Sequence, residues 1–168
     1  MSRDYNHKSN YLLALFLLAS CASAQQPSGS TDYATATVLK VIDGDTIVLK
    51  LQNQTETVRL LGVDTPETVH PTKDVECFGP EASVFAKSTL KKGAIVKLVR
   101  DIEPRDRFQR LLAYLYLADG TFFNQLLIEQ GFAKALSIEP NMAFAAQFAN
   151  LESSARDRRV GLWHSCER

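Results

Sequence analysis

ATATVLKVI-DGD-TIVLKL, residues 34–51, sets two β-branched-rich runs on either side of an Asp-Gly-Asp triplet. Branched side chains suit a pleated strand, and Asp and Gly suit a tight connection, so the stretch reads as a β-hairpin. Working outward, LQNQTE is a further turn signal and TVRLLGV (57–63) a third strand. AIVKLVR (94–100) and RLLAYLYL (110–117) supply a fourth and a fifth, the latter closed by Asp119-Gly120. Three helices interleave. GPEASVFAKSTLKKG (79–93) carries Pro80 at its first position, Glu81 in its first turn, and Lys91 and Lys92 before Gly93. Its Ala82, Phe85, Ala86, Thr89 and Leu90 share one face. FNQLLIEQG (123–131) is a short helix closed by Gly131. The last helix is expected to begin near Asn141, with Phe144, Phe148, Leu151 and Ala155 on one stripe. Five short strands with this order of helices predict an α+β fold: a five-stranded OB-type barrel with three α-helices.

Of 168 residues, 45% are hydrophobic and 23% charged, the make-up of a globular chain of one domain plus modest extras. The net charge is zero, which excludes a strongly basic surface, so any anion binding must come from a local cluster. Ahead of the barrel, Arg3 and Lys8 precede an uninterrupted apolar run from Tyr11 to Ala19, too short to span a bilayer and suited to a signal-peptide core. Two processing routes fit. Ala22-Ser23-Ala24 satisfies a small-x-small cleavage rule, and Leu18-Ala19-Ser20-Cys21 resembles a lipobox, in which Cys21 would be lipidated. The expected organisation is a leader over 1–24, ending before Cys21 if lipidated, a Pro/Gly/Ser-rich tether over 25–32, and a folded domain over 33–168. Export to the periplasm or cell exterior, or lipid anchoring at a bacterial membrane, is the expectation. In such an oxidising compartment Cys77 and Cys166 pair as a disulfide or stand as two separate thiols; the bridge is the favoured reading.

The chemistry lies where strands end. Asp43 and Asp45 flank Gly44, while RLLGVDTPE (59–67) runs a strand into Asp64 and Glu67 around Pro66. Each acidic motif alone is an ordinary turn or strand exit. Brought together by neighbouring strands, Asp45 and Asp64 would repel unless a cation or proton intervened. Hard carboxylate oxygens suit Ca²⁺ or Mg²⁺, and the three histidines (His7, His70, His164) show no zinc spacing. Arg59 opens the strand that leads to Asp64, and Arg110 opens the fifth strand after RDRFQ. Guanidinium groups bind phosphate bidentately, and Arg105, Arg107 and Arg110 surround Phe108 in a basic-aromatic cluster. Carboxylates, arginines and an OB-type barrel together point to metal-assisted attack on a phosphodiester.

VIDGDT, RLLGVDTPE, HPTKDVECFGPEAS, DRFQRLLAYLY and LIEQGFAK resemble the staphylococcal nuclease (thermonuclease) family over roughly Thr35 to Trp163. The resemblance implies an OB-fold enzyme that uses Ca²⁺ to hydrolyse DNA and RNA at the P–O5′ bond, leaving 3′-phosphates. It implies Asp45, Asp64 and the Thr65 carbonyl as metal ligands, with Asp43 and Thr46 supporting them. Glu67 would handle the attacking water, and Arg59 and Arg110 would clamp the scissile phosphate. Arg107 and Phe108 would meet substrate. The chain departs from the family prototype at Arg107-Phe108-Gln109-Arg110, where a phenolic hydroxyl is lost, and at KALSIEPN, which lacks tyrosines beside the base. Neutral charge and the cysteine pair also differ from the prototype. The alternatives are a catalytically silent OB module binding nucleic acid at the cell surface, and a lipid-anchored structural or adhesive protein. The first has no need of all five catalytic side chains, and the second predicts no metal dependence. A monomer is expected.

Overall fold

The computed structural model describes residues 33–68 and 74–166; the leader, the tether and the lipobox cysteine, Cys21, lie outside them. Strand β1 (Ala34–Asp43) and strand β2 (Thr46–Leu51) form the expected antiparallel hairpin, with Asp43 paired to Thr46 across the Gly44-Asp45 turn. Period-two alternation puts Ala36, Val38, Ile47, Leu49 and Leu51 inside. Register shifts between Val38 and Lys40 and between Val41 and Asp43 bend β1. That bend lets the first half of β1 pair with β5 (Ile95–Val99) while the rest follows β2. Gln52 and Asn53, both at positive φ (47° and 69°), make the two-residue turn into β3 (Gln54–Leu60).

The expected third strand does not continue through Val63. It breaks at Leu61, and Gly62–Asp64 becomes a separate strand, β4, in a second, two-stranded sheet with Lys134–Leu136 (β7). Two constraints at Gly62 explain the break. Its φ of +74° is a left-handed conformation, and a Cβ there would collide with the Phe148 ring. With β6 (Leu111–Leu117), the barrel closes in the order β1-β2-β3-β6-β5. The β3–β6 pair is parallel, matching Val58 to Leu111 and Arg59 to Leu112; the other four barrel pairings are antiparallel.

Helix α1 (Gly79–Thr89) buries the predicted Ala82 and Ala86, and Leu90 beyond its end is buried with them. Phe85 stacks on Phe132 at 4.2 Å between ring centroids. Helix α2 is Phe123–Glu129, followed by Gly131 at positive φ. Helix α3 (Ala145–Asp157) starts four residues after the expected Asn141. Asn141 is held in a turn instead: it is buried, accepts the Glu103 N–H at 2.8 Å and donates to the Glu103 carbonyl at 3.0 Å. A short fourth helix, α4 (Leu162–Ser165), was not expected from the sequence. Its Leu162 and Trp163 form a small cluster with Ala155, packed against Phe78. Cys166, at its end, is disulfide-bonded to Cys77, with Cα atoms 5.9 Å apart and a sequence separation of 89. Closing a loop of that size stabilises by about 4 kcal/mol in the chain-entropy account.

Candidate active site

The β-hairpin turn brings the first two carboxylates to the barrel rim. Asp43 is buried; it accepts the Gly44 N–H at 2.9 Å and the Thr68 hydroxyl at 2.7 Å. Burial pushes its carboxyl up from the usual range, against the Thr68 and Gly44 hydrogen bonds, and hydrogen bonding with the Glu67 side chain pushes the same way. Asp45 is also buried, and its Oδ2 accepts both the N–H and the hydroxyl of Thr65 at 3.0 Å. Its Oδ1 accepts the Thr46 hydroxyl at 3.0 Å. Gly44 is required for this fit: a Cβ there would lie 2.7 Å from the Thr65 methyl.

Arg59 sits opposite Thr46 in the β2–β3 ladder, beside the turn. The Gly62 kink then swings Val63 and Asp64 back over it. Its Nη1 lies 3.1 Å from Asp45 Oδ2 and donates to the carbonyls of Leu60 (3.0 Å) and Val63 (2.8 Å). Its Nη2 donates to Asp64 Oδ1 at 3.2 Å. One guanidinium therefore joins both carboxylates that the sequence paired. Asp64 is pushed up chiefly by removal from bulk water; Arg59 and Lys134 hold it down, while Asp45 and Glu76 raise it.

Arg110 arrives beside the Arg59 strand through the parallel ladder, one residue before Leu111, the partner of Val58. Its Nε donates to Asp106 Oδ2 at 2.7 Å, and its main-chain N–H donates to Asp106 Oδ1 at 2.9 Å. Burial lifts the Asp106 carboxyl, but the hydrogen bonds and charge of Arg110 outweigh it and hold the group below its ordinary value. Phe108 is exposed, with the guanidinium carbons of Arg107 and Arg110 at 4.7 and 5.4 Å from its ring centre. Arg105 leaves this predicted cluster and pairs with Glu56 at 2.7 Å.

Asp43, Asp45, Thr46, Arg59, Asp64, Thr65, Glu67 and Arg110 all line one polar cavity of ≈ 340 Å³, as does Glu76, which sequence reasoning missed. Arg107 and Phe108 line an adjoining groove of ≈ 590 Å³, which shares Arg59 and Arg110 with the first and continues along Leu136 and Ile138. Asp106 was missed too, although its spacing four residues before Arg110 is a visible signal. Glu76 has none.

The family model described as "Staphylococcal nuclease homologue" matches residues 57–165. The chain belongs to the staphylococcal nuclease family. It is similar to the thermonuclease of Staphylococcus intermedius, with 40% identity over 126 residues that cover 75% of this chain and 74% of that protein. The thermonuclease of Staphylococcus hyicus is 36% identical over 75% of this chain and 73% of its own length. The endonuclease YncB of Bacillus subtilis is 35% identical over 76% of this chain and 60% of its own length. The protein is thus a nuclease, a hydrolase of phosphodiester bonds in nucleic acid, and membership implies dependence on a metal.

The donor set fits a hard cation. Asp45 and Asp64 offer carboxylate oxygens around a single guanidinium, and Thr65 lines the same cavity. Among the described residues no three His, Cys, Asp or Glu side chains converge to hold an ion by themselves. Two carboxylates completed by carbonyl, water and phosphate oxygens are what Mg²⁺ and Ca²⁺ accept, whereas zinc would require nitrogen or sulfur.

Proposed function

We propose that this nuclease is exported, uses Ca²⁺, and hydrolyses both DNA and RNA at the P–O5′ bond to leave 3′-phosphates. The observation that carries the reading is the convergence of Arg59, Arg110, Asp45, Asp64 and Glu67 on one cavity. Asp45, Asp64 and the Thr65 carbonyl would hold the Ca²⁺, with Asp43 and Thr46 bracing them through Thr68 and the Asp45 carboxylate. Bound there, the ion supplies Lewis-acid polarisation of the phosphate. Glu67 orients the attacking water and takes its proton as the oxygen bonds to phosphorus. Arg59 and Arg110 donate to the non-bridging oxygens, where negative charge grows, and the O5′ leaves and is protonated. A nucleotide extending from the cavity enters the adjoining groove, where Arg107 and Phe108 offer a cation and an aromatic face.

The assay is direct. Single- and double-stranded DNA and RNA are expected to be cut in Ca²⁺ and left intact in chelator, with 3′-phosphate ends on the products. A protein that binds these substrates without cutting them is instead a silent binding module.

The remaining organisation is part of the same proposal: a leader over 1–24, a tether over 25–32, an OB domain over 33–168, and a monomer. The Cys77–Cys166 bridge supports an oxidising compartment. Of the two processing routes, lipidation of Cys21 is favoured, because the cysteine directly follows the apolar core and the tether suits an anchored domain. Detergent partitioning with membranes supports it; a wholly soluble mature protein beginning at Gln25 overturns it.

A further inference from the structure

Glu67 has to be held firmly to direct a water, and the chain around it shows how. Its neighbour Thr65 is fastened to Asp45, and Thr68 to Asp43. The main chain of Glu67 itself is grasped by Glu76. The Glu67 N–H donates to Glu76 Oε2 at 3.2 Å, and the Glu76 N–H donates to the Glu67 carbonyl at 2.9 Å. This reciprocal pair joins the two segments at the cavity that both residues line.

Glu76 is anchored in turn. Its carbonyl accepts the Gly79 N–H at 3.0 Å, at the start of α1. Gly79 packs so closely that a Cβ would lie 2.7 Å from the Thr68 methyl and 3.0 Å from the Glu67 carbonyl oxygen. The next residue, Cys77, is bonded to Cys166 at the end of α4. That helix is tied down where the Leu162 N–H donates to the Gly131 carbonyl at 2.9 Å. A covalent and hydrogen-bonded strut thus runs from the C-terminal lobe to the main chain of Glu67.

We propose that Glu76 is a positioning residue for hydrolysis: its carboxylate fixes the Glu67 main chain, and the Cys77–Cys166 bridge fixes Glu76. The inference rests on the reading of Glu67 as the group that handles water. A shift of about 1 Å in such a group is enough to cost two orders of magnitude in rate, so loss of this clasp is expected to appear in turnover. A carboxylate with a purely structural role would affect stability alone.

The test measures kcat and KM on DNA at saturating Ca²⁺, at a temperature where circular dichroism shows each variant folded. Glu76→Ala is expected to lower kcat by about tenfold or more with KM within about twofold. Glu76→Gln, whose amide oxygen still accepts the Glu67 N–H, should restore kcat to within about threefold of the parent. Combined with Glu67→Ala, Glu76→Ala should cost nothing further, because the group being positioned has gone. Should Glu76→Ala not fold, Glu76→Asp, one methylene too short for the bond, is expected to show the same fall in kcat. Parent turnover in the folded Glu76 variant, no rescue by Gln, or an additive loss in the double variant overturns the proposal. Glu67→Ala cleaving at the parent rate overturns the assignment of Glu67 itself, and this inference with it.

Discussion

Arg59 and Arg110 line the same cavity from neighbouring walls, one on β3 and one at the entry to its parallel partner β6, yet they are held in different ways. Arg59 stands in a barrel ladder, and its two terminal nitrogens are committed to two carbonyls and two carboxylates. Arg110 stands at the mouth of a loop, and among the described residues its guanidinium hydrogen-bonds only through Nε, to Asp106. The first guanidinium organises the acidic site and must exchange partners to meet a phosphate. The second has its terminal nitrogens ready for one. Two arginines in one site can thus do different work: one balances the charge of the carboxylates, the other waits for the substrate.

The sharpest way to break this comparison is to remove each side chain in turn. Arg59→Ala, Arg110→Ala and Glu67→Ala are each expected to lower kcat on the order of a hundredfold or more, since such groups are worth about 3–4 kcal/mol in the transition state. Arg59→Ala should also change Ca²⁺ affinity, because it releases Asp45 and Asp64 from their shared counter-charge, whereas Arg110→Ala should leave it unchanged. Calorimetric Ca²⁺ titration separates the two. Equal effects on the metal would show that the walls are not specialised, and parent-rate cleavage by the Arg110 and Glu67 variants would place the chemistry elsewhere.

A smaller effect follows at Asp106. Asp106→Asn keeps an acceptor for the arginine but removes the charge, and kcat/KM should fall by roughly tenfold, the worth of a charge-assisted hydrogen bond. Phe108→Ala should raise KM by about fivefold with kcat little changed, at the lower end of what a stacked base contributes. The smallest effect belongs to Arg105, the arginine that turned away. Glu56→Gln should leave kcat unchanged and lower Tm slightly. The Arg105 hydrogen bond and charge hold Glu56 below its ordinary value of 4.5, outweighing desolvation. Its contribution is therefore present above that pH and lost as pH falls through the depressed value. Thermal melts of parent and variant should converge in acid.

Much of this was legible in the sequence because it is local. Strand composition and Asp-Gly turns located the barrel hairpins, and DGD with DTPE, Arg59 and Arg110 named the residues that meet in the cavity. What escaped detection depends on contacts between distant segments. Nothing in TVRLLGV announces a change in the sign of φ at Gly62, since the apolar run from Leu60 to Val63 reads as one continuous strand; the Phe148 ring that requires glycine there comes from α3. Asn141 reads as a helix start until Glu103, far away in sequence, is seen to hold it in a turn. Arg105 and Arg107 are alike as letters, and only the position of Glu56 on β3 separates them. Glu76 lies inside the HPTKDVECFGPEAS motif, yet only its hydrogen bonds to the Glu67 main chain single it out.

The parallel pairing of β3 with β6 has a consequence for the time course of folding. It brings Arg59 and Arg110 together, and it joins strands separated in sequence by β4, α1 and β5, so its loop-closure entropy must be met before its contacts repay it. The β1–β2–β3 meander and the helices can form from neighbouring residues, but Arg59 and Arg110 stay apart until this seam closes. During refolding, cleavage activity should therefore lag helix formation and rise together with barrel closure. A chain whose seam is still open carries every residue of the site and is expected to cut nothing: the seam is the molecule's safety catch.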